Sequence, residues 1–150
     1  MNMTSEFTIA VHALVFLNHK KESKSSEELA KNVCTHPARI RKVMARLKKA
    51  GLVKTKEGID GGYSFDLDPG SVTLRDICNA LEVKIVSATW RSGSMDLECL
   101  IASGMADVMD EIYGGLDHLC KERLSHITIE QIDRKIFSGR KNESSARGKE

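Results

Sequence analysis

The sequence predicts a mainly α-helical fold with one small β-hairpin and a long helix in its C-terminal half. Three observations predict it. Apolar residues recur every three or four positions over residues 4–18, 37–50 and 97–124, the period of a helix with one buried face. Ser or Thr followed three places later by an acidic or amide side chain, at Ser25 and Glu28, Thr73 and Asp76, and Thr128 and Gln131, marks three helix starts. The run KEGIDGG stands between two short stretches, 52–55 and 63–67, that read as strands, so its glycines supply a hairpin tip.

In chain order, the first helix covers residues 4–18, with Phe7, Ala10, Val11, Leu14 and Leu17 on one stripe, and the polar run HKKESK ends it. A short second helix opens at Ser25 and spans residues 25–33, with Leu29, Ala30 and Val33 facing inward. Cys34, Thr35 and His36 make a turn. Pro37, whose fixed φ and missing N–H suit a first helical turn, starts a third helix that stops before Gly51. On it Ile40, Val43, Met44 and Leu47 form one face, and Arg39, Lys42, Arg46 and Lys49 the other. After the hairpin, Pro69 and Gly70 turn the chain into a fourth helix through Ile77, Ala80 and Leu81. Residues 83–96, which include Trp90, match no regular element.

In the long helix, Ile101, Met105, Val108, Ile112, Leu116 and Leu119 are spaced by fours and threes, as in the seam of a helix pair, while Gly114 and Gly115 weaken its middle. A chain this small offers little else to cover that stripe, so it is expected to pair with a second copy. A last helix runs from Thr128 through Ile132 and Ile136. The expected organisation is a head over residues 1–82, a linker or sensor loop over 83–96, dimerisation and C-terminal helices over 97–137, and a disordered tail over 138–150. The tail, SGRKNESSARGKE, has almost no apolar side chain to offset the entropy of ordering.

Residues 24–57 hold ten basic side chains against three acidic ones, Glu27, Glu28 and Glu57. This segment carries +7 and leaves −5 for the rest of a chain whose total is +2. One cationic face suits a polyanion. A capped helix, a tight turn, a basic helix and a glycine-tipped hairpin also follow the order of a winged helix-turn-helix, whose second helix enters the major groove of DNA. The candidate contact residues are Ser25 and Ser26, then Thr35, His36, Pro37, Ala38, Arg39 and Lys42 toward base edges or nearby phosphates. Arg41, Arg46, Lys54 and Lys56 would meet the backbone, and Asp60, Gly61 and Gly62 form the wing tip. A phosphate-cradling nucleotide loop would need a helix after the glycines, where YSFDL reads as a strand. A protein-interaction adaptor that uses this head without DNA is the alternative from another class. No Ser/His/Asp order, carboxylate pair or metal motif points to an enzyme.

At 150 residues with 41% hydrophobic content, the chain can build one sizeable core, or a small head with a second helical element. The longest apolar run, residues 9–17, is interrupted by His12 and too short to span a bilayer. MNMTSEFT lacks a basic region leading into an apolar stretch, so a cytoplasmic protein is expected. Cys34, Cys78, Cys99 and Cys120 stand far apart with no Cys-x-x-Cys pair, so reduced thiols are expected.

SSEELAKNV, HPARIRKVMARLKKAGLV, the GIDGGY wing and TLRDICNALE, in that order, resemble the Rrf2 family of bacterial winged-helix transcription regulators over residues 5–124. The resemblance implies a homodimer whose long helices pair, bound to a palindromic operator with half-sites roughly 34 Å apart. Where many wings of the family have a basic residue just before the first glycine, this chain has Glu57. Members that hold an iron-sulfur cluster place three cysteines before the long helix. Here only Cys99 stands there, with Gly93 and Ser87 six and twelve positions earlier, so no cluster is expected. Zinc fares no better, because Cys34-Thr35-His36 and His118-Leu119-Cys120 lack structural-site spacing.

The remaining expectation concerns the thiols. Cys34 precedes the basic helix beside His36, Arg39 and Arg41, where a helix N-terminus and cations would favour the thiolate. Acidic neighbours Asp96 and Glu98 make Cys99 a resolving partner instead. Because the resemblance places the loop before the long helix near the partner's head, oxidised Cys34 captured by Cys99 of the other subunit would hold the heads off the operator. A small ligand near Trp90, or a partner protein, is the alternative signal. Cys78 and Cys120 are expected in the core.

Overall fold

The computed structural model describes residues 3–147, with side chains over 5–139. The element order is α1 (Met3–Lys20), α2 (Ser26–Val33), α3 (Pro37–Lys49), β1 (Lys54–Lys56), β2 (Gly62–Ser64), α4 (Leu74–Leu81), α5 (Leu100–Leu124) and α6 (Ile129–Arg147). This is a winged helix-turn-helix head with a long helix beyond it, mainly α with a two-stranded antiparallel wing.

The head folds around one apolar core. Ala10, Ala13, Leu14 and Leu17 of α1 meet Leu29 of α2, Ile40, Val43, Met44 and Leu47 of α3, and Ile77 and Leu81 of α4. Each fully buried Leu or Ile contributes about 1.5–3 kcal/mol of transfer free energy. The helix starts are those the sequence marks. Ser25 Oγ accepts from the Glu28 amide at 3.1 Å while Glu28 Oε2 accepts from the Ser25 amide at 2.9 Å. Thr73 with Asp76 and Thr128 with Gln131 repeat this reciprocal cap. The helix ends are less expected. α2 stops at Cys34 (φ 63°) and α4 at Glu82 (φ 53°), both left-handed without glycine.

In the wing, Lys54 pairs with Ser64, Thr55 with Tyr63 and Lys56 with Gly62, so the strands are shorter than the two apolar-rich stretches suggest. Val53 and Phe65, just outside the strands, are buried in the core and root the hairpin. Tyr63 also exchanges two backbone hydrogen bonds with Lys24, at 2.8 and 3.0 Å, which ties the wing to the segment before α2. Glycine is needed at position 62, because a Cβ there would strike the Lys24 carbonyl.

α5 begins at Leu100, three residues later than its apolar pattern suggests, and continues through Gly114 and Gly115. α6 returns to the head. Ile129 is buried, Asn18 Nδ2 donates to Asp133 Oδ2 at 2.9 Å, and the His19 ring stacks on Phe137 with centroids 3.8 Å apart. The backbone of residues 138–147 continues α6, where composition predicts disorder; residues 148–150 lie outside the described part. Once α6 is nucleated by its cap and its docked first turns, each further residue adds a backbone hydrogen bond, so no apolar face is required for the helix to propagate. No helix among the described residues is long and apolar enough to cross a membrane.

Candidate nucleic-acid interface

α3 presents Ala38, Arg41, Lys42, Arg46, Lys48 and Lys49 outward, with Arg39 half-buried at its first turn and His36 exposed just before it. Lys54, Lys56 and Asp60 are exposed on the wing, whose tip also carries the fully exposed Ile59. Ser25, Ser26, Thr35 and Pro37 are half-buried beside them. The start of α2 is drawn to α3 by Arg41 and Ser26 and to the wing by Lys24 and Tyr63, and several of the predicted contact residues are engaged within the protein.

Arg46 is exposed, and its Nη1 donates to the Leu81 carbonyl at 2.6 Å, which clips the end of α4 to α3 while its other donors stay available. The hydroxyl and amide of Ser25 are both used in its cap. Gly61 and Gly62 serve the backbone, since a Cβ at 61 would strike the Lys56 carbonyl. Arg41 donates to Ser26 Oγ at 3.3 Å and lies 3.9 Å from Glu27, an exposed pair worth about 0–1 kcal/mol that DNA could displace. Two residues of α1 enter unpredicted. Ser5 Oγ accepts from Arg39 Nη2 at 2.8 Å, and the buried carboxylate of Glu6 lies 3.2 Å from Lys42 Nζ. The sequence carried a signal for Glu6, which falls in helical register with Ala10, Ala13 and Leu17, a charge on a buried stripe.

The apolar stripe of α5 is bare. Ile101, Met105, Val108, Ile112, Leu116 and Leu119 are each between 40% and 70% exposed, and they stand in one row along the helix instead of singly. On another side of the helix, the linker is latched down. Asp117 Oδ1 accepts from the amides of Ile85 (2.6 Å) and Val86 (3.0 Å), and Asp117 Oδ2 lies 3.0 Å from Lys121 Nζ. Burial alone would raise this carboxyl, but the Val86 amide, Lys121 and the Ile85 amide outweigh it and hold it below the usual carboxylate range. Further along, Arg91 is paired with Asp107 at 2.9 Å and with Asp110, and the Ser94 amide donates to the Ala102 carbonyl at 2.9 Å. Gly93 (φ +68°) lies so close to that carbonyl that a Cβ would collide with it.

The thiols sit differently from expectation. Cys34 is exposed, but its thiol lies 3.7 Å from the Lys31 carbonyl at the C-terminal end of α2, so it faces the carbonyl end of one helix instead of the amide end of the next. Cys99 is exposed at the N-cap of α5, where the amides of Ala102 and Ile101 hold its thiol below the ordinary range. Backbone amides, invisible in a list of neighbouring side chains, act on Cys99 against the acidic Asp96 and Glu98 beside it in the sequence. Cys78 is buried in the core and its thiol is pushed up by desolvation, while Cys120 is only half-buried.

Residues 3–135 match the family described as Rrf2, iron-dependent transcriptional regulator. The chain belongs to the Rrf2 family. It is 22% identical over 135 residues to the HTH-type transcriptional regulator YwnA of Bacillus subtilis, covering 90% of this chain and 99% of that protein. Among solved structures, a Lactobacillus plantarum protein described as a transcriptional regulator superposes with a TM-score of 0.73 at 22% identity, covering 93% of this chain and 97% of that one. CymR, the global cysteine regulator of B. subtilis, gives 0.64 at 21% identity, covering 90% and 98%.

The Rrf2 description raises the question of iron. The residues present do not fit a cysteine-held cluster: Cys99 is the one thiol in the loop before α5, and the loop is shaped around Gly93, where any side chain would meet the Ala102 carbonyl. Among the described residues, no three His, Cys, Asp or Glu side chains converge as a metal site. The space beside Trp90, closed by Met109 and Tyr113, is about 170 Å³, below the roughly 300–1,000 Å³ of ordinary ligand pockets. A larger apolar groove of about 720 Å³ lies between α1 and α6, lined by Phe7, Val11, Phe16, Ile136 and Phe137.

Proposed function

We propose that this Rrf2 protein is a homodimeric, sequence-specific DNA-binding repressor. The observation that carries it is the capped α2, turn and basic α3 beside a cationic wing, on a chain whose long helix has an uncovered apolar stripe. α3 would enter the major groove, with His36, Ala38, Arg39 and Lys42 near base edges and Arg41, Lys54 and Lys56 on phosphates. With Ile59 and Asp60 at its tip, the wing's phosphate contacts fall to its two lysines.

Duplexes selected from a random pool by the reduced protein are expected to converge on a palindrome with half-sites roughly 34 Å apart. Affinity for the selected duplex should fall with salt, at a log–log slope of about −0.9 per phosphate neutralised. No enriched palindrome, or an affinity indifferent to salt, would favour the adaptor reading instead.

The signal in this reading is a peroxide acting on Cys99. Its thiolate attacks one peroxide oxygen, the O–O bond breaks, hydroxide leaves and a sulfenic acid forms. The Cys34 thiol of the other subunit then displaces that hydroxyl, which leaves as water with the thiol proton, and a disulfide closes. Two electrons pass from the two thiols to the peroxide. After mild oxidation, a non-reducing gel is expected to show a covalent dimer absent from Cys99→Ser and from Cys34→Ser. Sulfenic acid should be trapped on Cys99 in Cys34→Ser, but not on Cys34 in Cys99→Ser. A covalent dimer that survives either substitution sinks the bridge.

A further inference from the structure

Two cations in the N-terminal half of α3, Arg39 and Lys42, are held from behind by consecutive residues of α1. Arg39 donates to Ser5 Oγ at 2.8 Å, and Lys42 Nζ lies 3.2 Å from Glu6 Oε1. The asymmetry of exposure matters: the Glu6 side chain is only 8% exposed, whereas the Lys42 side chain is 49% exposed. An ammonium has three donors and a guanidinium five, so a hold from the protein side is compatible with a solvent-facing side, as the exposure of Lys42 shows. A carboxylate buried in the head is seldom tolerated without a partner, and here that partner comes from the DNA-facing helix.

We infer that Ser5 and Glu6 are specificity-setting positioning residues, which present Arg39 and Lys42 to base edges as fixed donors and offset their charge toward non-specific phosphate. This rests on the DNA-binding reading proposed above. Two physical effects act together. Long cationic side chains lose rotamer entropy on binding, and a contact that fixes them beforehand lowers that cost for a correctly placed acceptor. The Glu6 carboxylate also cancels much of the Lys42 charge, so a sliding, sequence-blind encounter with phosphates gains less from it. The clamp therefore trades affinity for any duplex against discrimination for one.

The test uses the full chain with two duplexes, the one enriched by selection and a scrambled duplex of the same composition. In Glu6→Gln, an amide oxygen still accepts from Lys42, but the negative charge is gone. Affinity for the scrambled duplex should rise and its salt slope steepen by about 0.9, the value of one further phosphate contact. The ratio of enriched to scrambled affinity should fall roughly tenfold, the scale of one coupled pair. Ser5→Ala should lower the ratio without steepening the slope. In a Lys42→Ala background, Glu6→Gln should change nothing further, because its effect passes through Lys42. Unaltered discrimination in both single variants, or a full Glu6→Gln effect without Lys42, overturns the clamp while leaving DNA binding intact. An unaltered chain that binds neither duplex overturns the DNA reading and the clamp with it. Thermal melts of each variant separate these results from loss of fold.

Discussion

Glutamate at both Val108 and Ile112 is expected to convert the proposed homodimer into a monomer while its head stays folded. Both side chains stand on the bare stripe of α5, 52% and 49% exposed, and neither belongs to the head's core. In a pair of α5 helices each would face apolar side chains of its counterpart, so the variant would place four carboxylates in an apolar seam. An unpaired buried carboxylate costs several kcal/mol, and a total on the order of 5 kcal/mol raises the dimer dissociation constant roughly 10³- to 10⁴-fold. Sedimentation velocity at micromolar concentration should show the change, with an unaltered helical signal by circular dichroism. DNA affinity should fall with it, because a monomer holds one half-site without the linked second one, a loss of about 10²- to 10⁴-fold. A variant that sediments as the unaltered protein does would show that the stripe is not the dimer seam.

What the sequence made legible was what repeats locally. The three reciprocal caps, the proline start of α3 and the inward faces of α2, α3 and α4 depend on residues within a turn of one another, and all are present. What it hid depends on distant partners. Arg46 reads as one more cation of a basic helix, and only the approach of α4 turns it into a clip on Leu81. Cys34 precedes a helix in the sequence, yet its own left-handed backbone, which ends α2, directs its thiol to a carbonyl. Residues 83–96 gave no pattern because what orders them is a carboxylate some thirty positions later. Glu6 had a visible anomaly, a charge in register with a buried stripe, and its meaning needed the position of Lys42.

That distant carboxylate carries the other large effect. Asp117→Ala is expected to destabilise the protein by about 2–5 kcal/mol, because it leaves the Ile85 and Val86 amides and the Lys121 ammonium without their acceptor. The loss should be local before it is global. Hydrogen exchange at the Ile85 and Val86 amides should accelerate more than exchange in the α3 core, since the linker detaches from α5 first. Asp117→Asn separates charge from shape. Its amide oxygen can still accept from the linker, but the attraction to Lys121 is gone. The pH dependence follows from the direction of the shift. The folded-state carboxyl is held below its unfolded value, so its stabilisation is fully present above the ordinary carboxylate range, near pH 4, and is lost as pH falls through the lower, folded value. Denaturation midpoints of the unaltered protein and Asp117→Asn should therefore differ most at neutral pH and converge in acid. A constant gap across that range would mean that Asp117 acts by packing alone, and the linker would then owe its order to Arg91 and the tight passage at Gly93.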